Sequence, residues 1–458
     1  MKNKCKKSNE NYQYTQNNKG ITLIALILTI IVLLILSIVT INVLIGDNGI
    51  INKANSSNVE TEQKGEKELI ELAVYEAKIN GNNVLNKQRI KDAVRNSELI
   101  KNSEITGGIK GPWTVKGVHN TYLINKDGIV SIKEIPEISD IYVYLNNNTL
   151  IFSSKELEGM EKSYGNIKGC LYKYNVKQKT ADTPWYADTS EIIKVEIKDK
   201  IVPESMECWF FNCINLTDIE NIENIDTTVV NSMLGLFGNC NKLLNVNVSN
   251  FDTSNTQTMY CMFFGCNMLK NIDVSSFDTG NVTSMYCMFY DCNQLNSIDV
   301  TNFDTENVTS MQSMFNRCSS LETIDVSNFN TSKVTNMSYM FYKCSKITNI
   351  FGTNNFNTSV VTTMLGMFGY CNNLEKIDVT NFDTKNVTTM RTMFQRCFNL
   401  TELDLRNFDT NNVTDMCYMF NRCSKLTQIM VTSNKWKMAE LNNYMFDYCN
   451  ISNVTEYN

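Results

Sequence analysis

The chain has 458 residues, 43% of them hydrophobic and 20% charged, with 42 Lys and Arg against 48 Asp and Glu for a net of −6. That length holds two or three domains with a sizeable core, and the negative balance argues against a nucleic-acid binder held by phosphate neutralisation. A single histidine, His119, leaves no room for His-rich metal sites or for Ser/His and Cys/His nucleophile pairs, so neither an enzyme nor a cofactor is expected.

Residues 1–20 form a polar, basic leader, +4 in side chains, and Ile21 to Ile45 then run 25 residues without a charge. A helix of that length reaches about 37 Å, enough to cross a bilayer core with some tilt. The positive flank predicts a single membrane span over 21–45, with everything beyond it outside, at the cell surface. Lys19-Gly20-Ile21-Thr22-Leu23, abutting the apolar run, resembles a type IV prepilin leader. The resemblance implies peptidase cleavage between Gly20 and Ile21, with methylation of the new terminus, and a pilin-like stalk helix over 46–80. That family carries glutamate five places after the cut, where this chain has Ala25. Two outcomes stay open: a minor pilin or pseudopilin-like component that presents the rest of the chain on a fibre, or a plain membrane anchor.

Residues 81–135 read as a small pilin-like α+β head. A short helix is expected in Asn82–Lys101, then β-like runs at Trp113–Val118, Thr121–Asn125 and Ile129–Ile132, the last two separated by Lys126-Asp127-Gly128. His119 falls in a loop between runs. Residues 136–203 form a β-containing entry region, with runs at Ile141–Leu145, Leu150–Phe152 and Ile192–Ile197.

The C-terminal half is repetitive. Ten cysteines, from Cys213 to Cys449, stand in one column, seven intervals being 26 residues and two 27. Around each, the unit reads M-F-x-x-C-x-x-L-x-x-I-D-V-S-N-F-D-T-x-N-V-T-x-M. Val308, Met311, Met314, Phe315 and Cys318 are three and four apart, which predicts a short amphipathic helix. Ile324, Asp325, Val326 and Ser327 alternate, which predicts a half-buried strand. One such unit cannot bury its own apolar face, so the copies must stack.

Leu321-Glu322-Thr323-Ile324-Asp325-Val326 resembles the strand signature of leucine-rich repeats, and the M-F-x-x-C before it resembles the bacterial BspA-like variety. The resemblance covers 204–458. It implies an α/β solenoid, a curved array of about ten units over 204–435, closed by a cap over 436–458 that contains Trp436. Members of that family are regarded as surface adhesins, which implies an extracellular protein or surface ligand as partner and no small-molecule substrate.

The column of Cys240, Cys266, Cys292, Cys318, Cys344, Cys371, Cys397 and Cys423 lacks the spacing of a metal set. Adjacent rungs would be close enough for disulfides, yet the stripe position suits small buried thiols. Cys208, Cys261 and Cys287, five residues before their partners, are expected to face out or sit at a rim. The Met and Phe columns read as core. The recurrent N-V-T triplets, such as Asn307-Val308-Thr309, read as turn and helix-start residues. Asp273, Asp299, Asp325, Asp378 and Asp404 should form an acidic row on the concave face. It is either a solvated face or a surface for a basic partner or for calcium.

Overall fold

A computed structural model describes residues 58–458 apart from 82–83, 96–99, 101–102, 108–110, 119, 135, 169–173 and 176–179. The leader, Gly20, Ile21, the apolar run and His119 lie outside the described residues. No helix among the described residues is long and apolar enough to cross a membrane. The chain divides into two units, 1–66 and 67–458. Of the first, the described residues are the opening turns of helix α1, Asn58–Asn80.

The second unit begins with the rest of α1. Ile70, Ala73, Val74 and Ala77 recur at three and four residues and are buried as one stripe. They share a core with Ile90, Ala93 and Val94 of α2 (Lys87–Arg95) and with an antiparallel four-stranded meander. Its strands are β1 (Glu104–Gly107), β2 (Trp113–Lys116), β3 (Thr121–Ile124) and β4 (Val130–Ile132). Strands β2 to β4 fall on the expected runs. Strand β1 has too polar and glycine-rich a sequence to announce itself.

The entry region carries an antiparallel hairpin, β5 (Tyr142–Asn146) and β6 (Thr149–Ser153), turned at Asn147 and Asn148 with φ of 46° and 61°. Strand β7 (Lys162–Asn166) pairs with β5. On the other side, Lys194–Ile197 pairs in parallel with both β6 and Asp218–Glu220. Phe152 of β6 stacks on Trp209 of the first repeat at 4.8 Å. One continuous core then runs from Ile141 to Met445. The entry region is thus the N-terminal lid of the array, covering the apolar end that a first rung would expose.

The repeats correct the α/β expectation. Among the described residues they contain no α-helix, and the array is a β-solenoid of rungs joined in parallel. From Met311 to Cys318 the backbone alternates between two kinds of bond. Met311, Ser313, Phe315 and Arg317 donate their N–H to Asn336, Ser338, Met340 and Tyr342 of the next rung at 2.7–3.2 Å. Met314, Asn316 and Cys318 instead donate three residues back within the rung, each at 3.2 Å. Ser313 and Arg317 adopt φ of 58° and 64°, and a left-handed residue ends any right-handed helix. Three-and-four apolar spacing arises here because the doubled-back turns send those side chains inward.

The L-x-x-I-D-V segment meets its expectation. Ile324 and Val326 are buried while Asp325 is exposed. Thr323–Asp325 pairs in parallel with Asn349–Phe351, and Glu402–Asp404 with Gln428–Thr432. One 27-residue unit absorbs its extra residue after Phe351, where Gly352 has φ 86° and a Cβ would lie 2.2 Å from the Ser327 backbone. Thr455–Tyr457 adds a last parallel strand against Gln428–Thr432, and Trp436 is buried beside it.

Candidate binding surfaces

Inward positions are spent on stacking. The Phe column from Phe237 to Phe420 stacks rung on rung with ring centroids 5.3–5.9 Å apart and planes within 18°. Next to it each column cysteine from Cys240 on places its Sγ near the Phe carbonyl one rung back: Cys240 3.2 Å from Phe210 O, Cys318 3.1 Å from Phe289 O, Cys423 3.0 Å from Phe394 O. The same Phe289 carbonyl accepts the Cys292 N–H within its own rung. The thiol therefore fills the second lone pair of an otherwise half-used buried oxygen. All these cysteines are free. Burial drives the column thiols from Cys213 to Cys423 up, those of Cys266, Cys344 and Cys397 to about 12, so these stay protonated and unreactive.

Cys208, Cys261 and Cys287 are buried, not at a rim. They hold φ of 53–59°, and that left-handed turn directs their side chains between rungs. The triplets also act otherwise than expected. Asn281, Asn307, Asn386 and Asn412 donate Nδ2 to carbonyls 27 residues earlier, at 2.6–2.8 Å, and the threonine hydroxyls of the same triplets donate one rung back. They are rung-to-rung ties, because no helix start exists for them to cap. A second, buried threonine column donates forward, as Thr305 does to Asn330 O at 3.0 Å.

Two outward columns stand on different segments of each rung. The first is the acidic row. Asp273, Asp299, Asp325 and Asp378 are exposed and Asp404 is half-buried. Each turns Oδ1 back on its own chain, accepting the N–H two residues on at 2.9–3.2 Å. The Ser275 hydroxyl and N–H hold the Asp273 carboxyl below its usual range, and Arg406 does the same for Asp404. This arrangement strings carboxylates one per rung instead of gathering them round a centre. Among the described residues no group of three His, Cys, Asp or Glu could hold a metal.

The second column was not anticipated from the sequence. It consists of the residue directly before each column cysteine, and from Arg317 to Tyr448 it is basic and aromatic. Arg317 lies over the Tyr290 ring at 5.9 Å, Lys343 between Tyr342 and Tyr370 at 5.4 and 5.5 Å, Arg396 over Tyr370 at 4.9 Å, and Arg422 over Tyr448 at 4.4 Å. An open groove of about 370 Å³ runs beside it, lined by Asp291, Arg317, Lys343 and Tyr370 among others. The signal stands at a fixed place in the six units from Arg317 to Tyr448, but the expectation of a helix draws only on the apolar stripe of that segment.

A third cluster joins the head to the array. Lys87 of α2 pairs with Asp304 in a nearly buried contact, Lys91 reaches Glu306 at 2.6 Å, and Lys133 reaches Asp252 at 2.9 Å and the Ser254 hydroxyl at 2.6 Å. Asp278, in the same column as Asp304, is buried, which raises its carboxyl to about 6 although Lys87 and the Gly280 N–H oppose the shift.

Two solved structures are similar in part. One is a leucine-rich repeat protein from Eubacterium ventriosum, at 14% identity, 69% of this chain and 95% of that one, with a TM-score of 0.25. The other is a leucine-rich repeat protein from Bacteroides ovatus, at 12% identity, 66% and 95%, with a TM-score of 0.24. No curated protein matches the chain. The family described as Mycoplasma protein of unknown function, DUF285, matches residues 204–299, 274–353 and 348–457, which together span the entire solenoid and more than half of the sequence. The chain belongs to the DUF285 family.

Proposed function

We propose that the protein is a membrane-anchored scaffold at the cell surface that binds a macromolecular partner through the outward columns of its solenoid, in the manner of an adhesin. One observation carries this reading. Inward positions repeat the same Phe, Met and Cys, whereas the column before the cysteine changes from Asp291 to Arg317, Lys343, Tyr370 and Arg396. Stacking demands uniformity inside; an outward face that varies while held at constant spacing is what extended recognition uses. The uncharged run 21–45 behind a +4 leader supports export of the array. The acidic row is the surface for a basic partner, with calcium as a bridging ion where the partner is itself acidic. A protein with such a surface binds; it does not turn over a substrate.

The test is twofold. Protease treatment of intact cells releases solenoid fragments under this reading, and protection until lysis refutes it. Replacing Asp299, Asp325, Asp378 and Asp404 by Asn leaves the fold intact and weakens attachment, most of all at low salt; unchanged attachment at every ionic strength makes the row a solvated face only.

A second reading follows from the head. A long helix packed on a four-stranded antiparallel meander is the layout of a pilin, and Gly20-Ile21 supplies the cut. On that reading the chain is a minor pilin or pseudopilin-like component that presents the array. The mass of the mature N-terminus decides: a methylated Ile21 supports it, an intact Met1 removes it.

A further inference from the structure

The two outward columns share a pattern that neither needs for stacking. Along the acidic row successive rungs carry Asp299, Asp325, Phe351, Asp378 and Asp404. Strand pairing confirms that Phe351 continues the row, being the register partner of Asp325. Along the basic column successive rungs carry Arg317, Lys343, Tyr370, Arg396 and Arg422. Each column is two charges, one aromatic residue, then two charges, with opposite signs. The aromatic rung interrupts both at the same place in the array, because residues 351 and 370 belong to the same inserted unit between Cys344 and Cys371.

From this we infer that the basic column is a docking surface for the acidic row of a second copy of the same chain. The inference rests on the reading of the row as a contact surface and names what the row meets. The pitch argument is the strongest one. Two charge columns on different molecules match over five rungs only if their spacings agree, and here both spacings are set by the same rung-to-rung hydrogen bonds. Phe351, 49% exposed, is a large apolar side chain on an otherwise charged row, and docking sets it against Tyr370, whose ring already holds Lys343 and Arg396. Stacking on tyrosines fixes the cations before contact, so less side-chain freedom is lost on binding. Asp404 contributes least, since Arg406 pairs with it at 2.6 Å.

The flanking rungs give direction. The row is preceded by Asp273 and followed by Met430; the column is preceded by Asp291 and followed by Tyr448. Parallel docking sets Asp273 against Asp291, two like charges. Antiparallel docking sets Asp273 against Tyr448 and Met430 against Asp291, and so avoids that repulsion.

The experiment uses the full chain in detergent, so that the apolar run 21–45 contributes equally to every sample. Sedimentation is followed against concentration and salt for the natural chain and two charge-reversed variants. One carries Arg317→Glu, Lys343→Glu, Arg396→Glu and Arg422→Glu. The other carries Asp299→Lys, Asp325→Lys and Asp378→Lys. A milder variant with the four cations replaced by Gln guards against misfolding, and melting curves check each sample. Each reversed variant alone is expected to associate about tenfold more weakly or worse, because several surface pairs turn repulsive together. Their equimolar mixture is expected to recover association, one variant supplying two negative surfaces and the other two positive ones. The inference is overturned by association that ignores all three variants, by a mixture that does not recover, or by a natural chain that stays single. It is also overturned if the natural chain stays single while heparin binds it and not the column-reversed variant, since the column then serves an external polyanion. Attachment of the row-reversed variant to the surface the natural chain adheres to is scored separately. Lost self-association with retained attachment upholds this inference and removes the row from the proposed adhesive role.

Discussion

The Cys318 thiol sits 3.1 Å from the carbonyl oxygen of Phe289, one rung back, and both groups are fully buried. Ring stacking aligns the phenylalanines, the thiol ties each rung's cysteine to its neighbour's backbone, and no cysteine of the column need be oxidised. Cys318→Ala should lower stability by about 1–2 kcal/mol, from a lost hydrogen bond and a small cavity. Cys318→Val should do worse, because its two branches meet the packed Phe column without supplying a donor. Denaturation midpoints of the two variants check the order.

Of the fourteen free cysteines of the described residues, the thirteen that are buried should be silent in the native protein. A thiol reagent added under denaturing, non-reducing conditions should count all fourteen, and the native protein should react with few, since burial hides the sulfur. A denatured sample with almost no reactive thiol would mean a disulfide ladder instead.

Asp278 gives the array a pH dependence of definite sign. Its carboxyl is raised in the fold from 3.8 to about 6, so the folded state favours the protonated form. The stabilisation is complete below pH 3.8 and is lost as pH rises through about 6. Asp278→Asn keeps an acceptor for the Gly280 N–H and removes the charge. It should raise stability at pH 7 by about 2 kcal/mol and change little near pH 4. Melting temperature against pH, for both chains, reads this directly.

Lys87 secures the head to the array. Replacing it by Met leaves the Asp304 carboxylate buried without its partner, which should cost about 3 kcal/mol at that contact. Adding Asp304→Asn should recover part of the loss. Limited proteolysis between Ile132 and Tyr142 measures how often the head comes away.

Much of this was legible in the sequence, and unevenly so. Inward columns declared themselves because stacked rungs place like residues against like, so Phe315 is forced to match Phe289 and Phe341. The strand at Ile324–Val326 showed its alternation plainly. The helix did not exist, because a turn run that doubles back every few residues produces the same three-and-four apolar rhythm. The clue against it lay in the left-handed positions, where several copies carry residues at ease there: Asn212, Asn239, Gly265 and Asp291 before the cysteine, and Gly235 and Gly366 four residues earlier. The basic column was missed for the same reason. The acidic row was seen, but not that each carboxylate turns back on its own backbone, which depends on turn geometry and not on residue pattern.

The hydrogen bonds between rungs run along the direction in which the rungs succeed one another, and this has a mechanical consequence. A pull on the C-terminal end meets the last rung boundary first, where Met416, Tyr418, Phe420 and Arg422 donate to Leu441, Asn443, Met445 and Asp447, and Leu441 donates back to Thr414. When those bonds yield, a unit of 26 residues comes free, about 90 Å of extended chain. The load then falls on the next, nearly identical boundary. Such an array lengthens in even steps under tension instead of failing at once, so a tether built from it would stay attached while it gives.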